Sequence, residues 1–264
     1  MSQPAYEPLS PAGAPPSYSD EILNPEGAGN NATANGDNIP DDFKYGTNVA
    51  GCELSIRQMF VRKVYTLLTA QLFVTFAIGL LINVCEPVKQ FAYNNSWLLI
   101  VSLVGSMGFM IAAFIKSRSY PYNLLLLAGF TICESYAVGV ITTIYDTNVV
   151  INAVLLTSVI FLGLTVFALQ TKYDFTSLQG YLFYALLAMV TFSFFGMFLN
   201  YSSTTEYIYS IIGALIFSVY IIVDTQIIMR KLHPEEEVSA AITLYLDIIN
   251  LFLHILRIMS HGDD

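Results

Sequence analysis

Residues 97–115 read WLLIVSLVGSMGFMIAAFI, a stretch that contains neither arginine nor lysine. At about 1.5 Å per residue it is long enough to cross a hydrocarbon core of about 30 Å, so it reads as a transmembrane helix. The same pattern recurs from Val64 onward, giving seven apolar runs at approximately 64–84, 97–115, 122–144, 149–169, 180–200, 208–229 and 239–259. The expected fold is therefore an all-α polytopic membrane protein, a seven-transmembrane-helix bundle over residues 51–264 with the lipid bilayer as its solvent. Small residues inside the runs, Gly105, Gly108, Gly213 and Ala214, let helices approach closely. Trp97, Tyr120, Tyr122, Tyr145, Tyr173, Tyr181, Tyr207 and Tyr209 fall at or near the ends, where amphipathic rings suit the headgroup region.

The composition agrees with this solvent. Of the 264 residues 55% are hydrophobic and 12% charged, which does not describe a water-soluble globule. The net charge of -9 argues against nucleic acid as a partner. Seven of the acids, Glu7, Asp20, Glu21, Glu26, Asp37, Asp41 and Asp42, precede the first base at Lys44. Residues 1–50 are rich in Pro, Gly, Asn and Ser, have no apolar periodicity and are expected to be a disordered acidic cytosolic tail. Within it Pro15-Pro16-Ser17-Tyr18 reads P-P-x-Y, a match to the groove of a WW domain and a candidate recruitment site for a WW-containing ubiquitin ligase. Three widely spaced cysteines, Cys52, Cys85 and Cys133, suggest neither a disulfide framework nor a zinc site. No signal peptide is visible, so the first span is expected to direct insertion itself.

Orientation follows from the bases. Arg57, Arg62 and Lys63 precede the first run, Lys116 and Arg118 separate the second and third, Lys172 lies between the fourth and fifth, and Arg230 and Lys231 follow the sixth. All belong to one side, against Lys89 alone in the opposite loops, which places the N-terminus in the cytosol and the C-terminus across the membrane. Arg257 is the main dissenting charge. The sequons at Asn94 and Asn200 fall on the non-cytosolic side but too close to a span to make good glycosylation sites.

Acidic residues inside spans point to chemistry. Glu134, Asp224 and Asp247 would each cost about 2.5–3.5 kcal/mol at a helix centre if charged, so each needs a partner, a proton or water. Counted from the loop between the last two runs, Asp224 and Asp247 lie roughly 9–13 Å deep, and an antiparallel hairpin brings them level. Two carboxyls facing each other in a dry bundle cannot both ionise cheaply; they share a proton, and the pair can sense pH or bind a cation. Thr243, Asp247, Asn250, His254 and Arg257 recur at spacings of four, three, four and three, one face of a helix. That stripe reads either as an ion or proton path with Glu134 as a further member, or as hydrogen-bonding glue between helices.

Three blocks carry a resemblance: Ala168-Leu169-Gln170-Thr171-Lys172-Tyr173-Asp174-Phe175-Thr176, the run from Gly213 to Phe217 leading to Val223-Asp224-Thr225-Gln226, and Leu244-Tyr245-Leu246-Asp247-Ile248-Ile249-Asn250-Leu251-Phe252. Together with Val61-Arg62-Lys63-Val64-Tyr65 and Pro121-Tyr122-Asn123 they resemble the transmembrane Bax inhibitor motif family, lifeguard branch, over about residues 55–260. The resemblance implies a seven-helix fold and a pH-sensitive calcium leak from internal stores, with calcium the transported ion and no cofactor. The membrane it implies is intracellular: endoplasmic reticulum, Golgi or vacuole. A paired-aspartate sensor falls on Asp224 and Asp247. It also implies a role in endoplasmic reticulum stress and in restraining programmed cell death, with cell-death regulators as partners. The family's intramembrane arginine in the second helix has no counterpart in residues 97–115. The rival reading is a non-conducting interaction protein that restrains death or stress machinery. An enzyme is not expected: there is no H-E-x-x-H, and the histidines are His233, His254 and His261. A seven-helix signalling receptor is disfavoured by the cytosolic N-terminus.

Overall fold

The computed structural model describes residues 48–52, 54–196, 198 and 202–262. Residues 1–47 of the acidic tail, its P-P-x-Y sequence and Asn200 lie outside the described residues. The tail's expected last residues are ordered: Val49 is buried in a 3-10 turn, Val49–Gly51, and its N–H donates to the Leu232 carbonyl. The described residues form eight α-helices: α1 (Leu54–Val84), α2 (Glu86–Asn94), α3 (Trp97–Ile115), α4 (Tyr122–Thr142), α5 (Thr147–Gln170), α6 (Gln179–Gly196), α7 (Ser203–Arg230) and α8 (Glu237–Gly262). All but α2 are long and apolar enough to span a bilayer, α6 with the short 3-10 turn at Thr176–Leu178 that leads into it. The seven expected spans are thus present within a few residues, with two differences.

The first helix starts ten residues before the apolar run. Ile56, Phe60, Val64 and Leu68 recur every fourth position and are all buried, so the helical period continues past the point where hydrophobicity ends. The second difference is α2, in what reads as a connection. Proline in its first turn and Glu86 at the positive end of its dipole favour the start. The backbone N–H and the side-chain amide of Asn95 both donate to the Phe91 carbonyl and close its end.

α8 is the axis of the bundle. It packs against α1, α3, α4, α5 and α7, while α6 packs chiefly on α7. Val238, Ala241, Ile242, Leu244, Tyr245 and Leu256 of α8 are completely enclosed. The outward faces carry Phe73, Ile100, Val104, Leu155, Val159 and Phe183, apolar side chains left exposed as a lipid-facing surface requires. Tyr120, Tyr122, Tyr173 and Tyr181 are exposed near helix ends, as an interfacial belt demands. Tyr207 and Tyr209 instead turn inward against histidines of α8. Of the small residues singled out, Gly105 sits close to Cys133 and Gly213 under His254, whereas Gly108 faces open space.

Side-chain contacts fix which loops share an end. Lys63 of α1 pairs with Glu237, Arg118 of the α3–α4 loop with Glu236, and Arg230 with Asp174 of the α5–α6 loop. This is the basic end, where most of the lysines and arginines gather. At the opposite end Tyr93 of α2 donates to Thr143 after α4, and Ser203 meets His261.

Candidate functional site

The α7–α8 hairpin brings the two aspartates together. Asp224 lies six residues before the end of α7 and Asp247 ten after the start of α8, about 9 and 15 Å from the basic end along their helices. Their relative exposures are 7% and 5%. Val223, Thr225 and Gln226 are buried as well, so this turn of α7 is enclosed on nearly every side. The two carboxyl groups are within hydrogen-bonding reach of each other. An ionised carboxylate only accepts, so the bond between them exists only while one carries a proton. Asp247 Oδ2 has no partner. Tyr220, one turn from Asp224, is close enough to feel both charges.

Among the described residues no basic side chain acts on the pair. Arg118, Arg230 and Lys63 are engaged with Glu236, Asp174 and Glu237, and Arg257 is exposed ten residues further along α8, about 15 Å from Asp247.

The same seam continues in layers seven residues apart on α8. Two turns beyond Asp247, the His254 ring stacks on Phe217 (centroids 5.7 Å apart, planes at 26°) and meets Tyr209 at 5.6 Å. It lies so close to Gly213 that any β-carbon there would collide with the ring, and its Nδ1 has no hydrogen-bond partner. Two turns further, His261 stacks on Tyr207 with centroids 5.0 Å apart, its Nε2 3.1 Å from Ser203 Oγ. The rest of the α8 stripe spends its donors on its own backbone: Thr243 Oγ1 donates to Ser239 and Asn250 Nδ2 to Leu246. Asp224, Asp247 and His254 are thus brought into one seam, and Arg257 is left outside it.

Glu134 belongs to a second polar cluster. It lies near Ser106 of α3, whose hydroxyl donates to the Leu103 carbonyl, and on α8 it is close enough to influence Tyr245, two residues from Asp247 and so on a different face of that helix. The Tyr245 hydroxyl is 2.8 Å from Thr75 Oγ1, which is 2.9 Å from Ser135 Oγ. One turn toward the basic end Gln71 Nε2 donates to Thr131; two turns the other way Asn83 Nδ2 donates to Thr142. Between them Gly139 meets Ile82 and the Gly79 backbone. α1 and α4 therefore run parallel, joined by a ladder with a sequence offset near 60 at every rung. The repeat of polar residues every four positions at 71 and 75, and again at 131 and 135, is the signal in the sequence that could have found it.

Gln226 is a further residue without a sequence signal of its own. Its Oε1 accepts from the Phe175 backbone N–H at 2.8 Å, and its Nε2 donates to the Tyr173 and Ala168 carbonyls at 2.9 and 3.4 Å. One buried amide on α7 so holds the α5–α6 loop, two residues from Asp224. Asp174 in that loop accepts from the Thr176 hydroxyl and N–H. Those two bonds, with Arg230 and Lys231 nearby, hold its carboxyl below the usual range. At the α7–α8 turn, burial opposes ionisation of Glu236, but the Arg118 guanidinium and the His233 N–H outweigh it and leave that carboxyl lowered too.

Among the described residues no three or more His, Cys, Asp or Glu side chains cluster to hold a metal ion. The aspartate pair offers two carboxyls, fewer than the six to eight oxygens of a resident calcium site.

Comparison with known proteins meets the same conclusion from outside. Residues 57–264 match the family model described as "Inhibitor of apoptosis-promoting Bax1". Protein lifeguard 4 of Mus musculus is 41% identical over 222 residues, 84% of this chain and 93% of its own length. The Golgi anti-apoptotic protein of vaccinia virus (strain Lister) is 40% identical over the same share of each. Bax inhibitor 1 of Schizosaccharomyces pombe is 34% identical over 98% of this chain and 95% of its own. The seven membrane-length helices and these matches make the chain a member of the transmembrane Bax inhibitor motif family, non-enzymatic integral membrane proteins that include the lifeguard and Bax inhibitor proteins.

Proposed function

We propose that this protein is a pH-sensitive calcium leak of an intracellular membrane, with the Asp224–Asp247 pair as sensor and the basic end facing the cytosol. The observation that carries the reading is two enclosed carboxyls within hydrogen-bonding reach, one oxygen of Asp247 unpartnered and, among the described residues, no basic group beside them. Singly protonated, the pair is bonded and draws α7 and α8 together. Losing that proton leaves two like charges that repel, while gaining another removes the charge; each change shifts the equilibrium between closed and open helix arrangements. Two carboxyls suit a cation in transit, since binding strong enough to fill a coordination shell would hinder release. Asp174 and Glu236, both held below the ordinary carboxylate range, stay ionised at about pH 5–8 and cannot supply a response there.

Intracellular placement and restraint of cell death rest on the relatives' names, one of which is a Golgi anti-apoptotic protein. The decisive experiment is efflux from calcium-loaded liposomes across about pH 5–8. Wild type should show pH-dependent flux, and Asp224→Asn and Asp247→Asn should abolish the dependence. A wild-type response retained in both variants would remove the pair from the mechanism. Flux no higher than from empty liposomes would favour a non-conducting interaction protein that restrains death or stress machinery, its polar seam serving as glue.

A further inference from the structure

We infer that His254, seated against Gly213, is the steric plug of the α7–α8 seam on the side of the aspartate pair away from the basic end. The inference rests on the leak reading above and names the element that closes the path. His254 stands seven residues from Asp247 on the same face of α8, about 10 Å further through the membrane. An ion that has passed the carboxyls along this seam meets an imidazole packed flat on Phe217 and edged by Tyr209, the latter braced by a 2.6 Å bond between its hydroxyl and Ser193.

The fit is one of shape. Nδ1 has no hydrogen-bond partner, so the ring is held there by neighbours that fill the space around it. Gly213 is the positioning residue: the space a β-carbon would need is already taken by ring atoms Cε1, Nε2 and Nδ1. Phe217 and Tyr209 share one face of α7 with Gly213, at steps of four residues, so a single stretch of helix supplies floor and walls. Because closure is steric, the pH response and the resting flux should separate: the pair sets the first, this layer the second.

The test is calcium efflux from liposomes with His254→Ala, His254→Phe and Gly213→Ala, each checked for monodispersity and thermal unfolding. His254→Ala and Gly213→Ala should raise flux on the order of tenfold at every pH, since both empty or displace the plug while leaving the carboxyls in place. His254→Phe restores a flat ring and should return flux to the wild-type level with the wild-type pH midpoint. Should His254→Ala fail to fold, Tyr209→Leu removes a wall of the same layer and should be leaky. Wild-type flux with unchanged flux in His254→Ala refutes the plug and spares the leak. A His254→Phe variant as leaky as His254→Ala, or one with a shifted midpoint, also refutes it. If wild type is silent and His254→Ala conducts, the plug stands; if both are silent, the plug and the leak reading fall together.

Discussion

Replacing Gln226 by leucine should free the α5–α6 loop without disturbing the membrane spans. Leucine has similar bulk but cannot accept from the Phe175 N–H or donate to the Tyr173 carbonyl, the two short bonds at 2.8 and 2.9 Å. Each backbone group left unsatisfied in these part-buried positions costs toward the low end of about 1–3 kcal/mol. Taking the low end for both gives about 2 kcal/mol, a factor of roughly 30 in the open population of the loop. Lys172 is exposed within that loop, so trypsin applied to the basic end in proteoliposomes reports opening directly. When closing is faster than cleavage, the rate of cutting after Lys172 follows the open population and should rise by about the same factor. Gln226→Glu, which can still accept but no longer donates, should fall between the two. An unchanged cleavage rate in a folded Gln226→Leu protein would mean that the loop is held by something other than this amide.

Two further outcomes test the polar contacts. Glu236→Gln should lower thermal stability in detergent near neutral pH by no more than about 1 kcal/mol, because Arg118 is nearly half exposed. Glu236 has a lowered pKa in the fold, so its contribution is present above the ordinary carboxylate range and is lost as pH falls through the folded value; variant and wild-type curves should converge below about pH 4, and convergence at neutral pH instead would contradict the assignment. Tyr245→Phe removes the hydroxyl 2.8 Å from Thr75 and should cost about 0.6–1.7 kcal/mol in an unfolding titration, with calcium flux unaltered because that hydroxyl lies off the aspartate seam; a changed flux would place the second cluster in the path.

The spans were legible because hydrophobic length is a physical requirement of the bilayer, read without knowing any contact. The aspartate pair was legible for a similar reason: an acid in a span is costly wherever it points, and hairpin geometry sets its depth. What escaped the sequence depends on neighbours. The start of α1 is amphipathic, and only burial of Ile56 and Phe60 shows that the helix already packs there. Gln71 and Thr75 repeat at a helical step, but which helix they meet shows only in the fold, and Gln226 is neutral and without a pattern, so its value appears only with its partners in the α5–α6 loop. The α8 stripe reads either as a path or as glue, and that the His254 ring packs among aromatics depends on neighbours that the spacing of α8 residues cannot supply.

The parallel ladder between α1 and α4 divides the bundle mechanically. Because its rungs recur along the helices in one constant register, sliding either helix past the other would rupture all of them at once, and the tight approach at Gly139 leaves little slack for tilting. Those two helices, with Tyr245 pinned between them, act as a stator. On the proposed leak reading, the moving part is then the antiparallel arm on the far face of α8, where stacked rings can slip without tearing a chain of bonds.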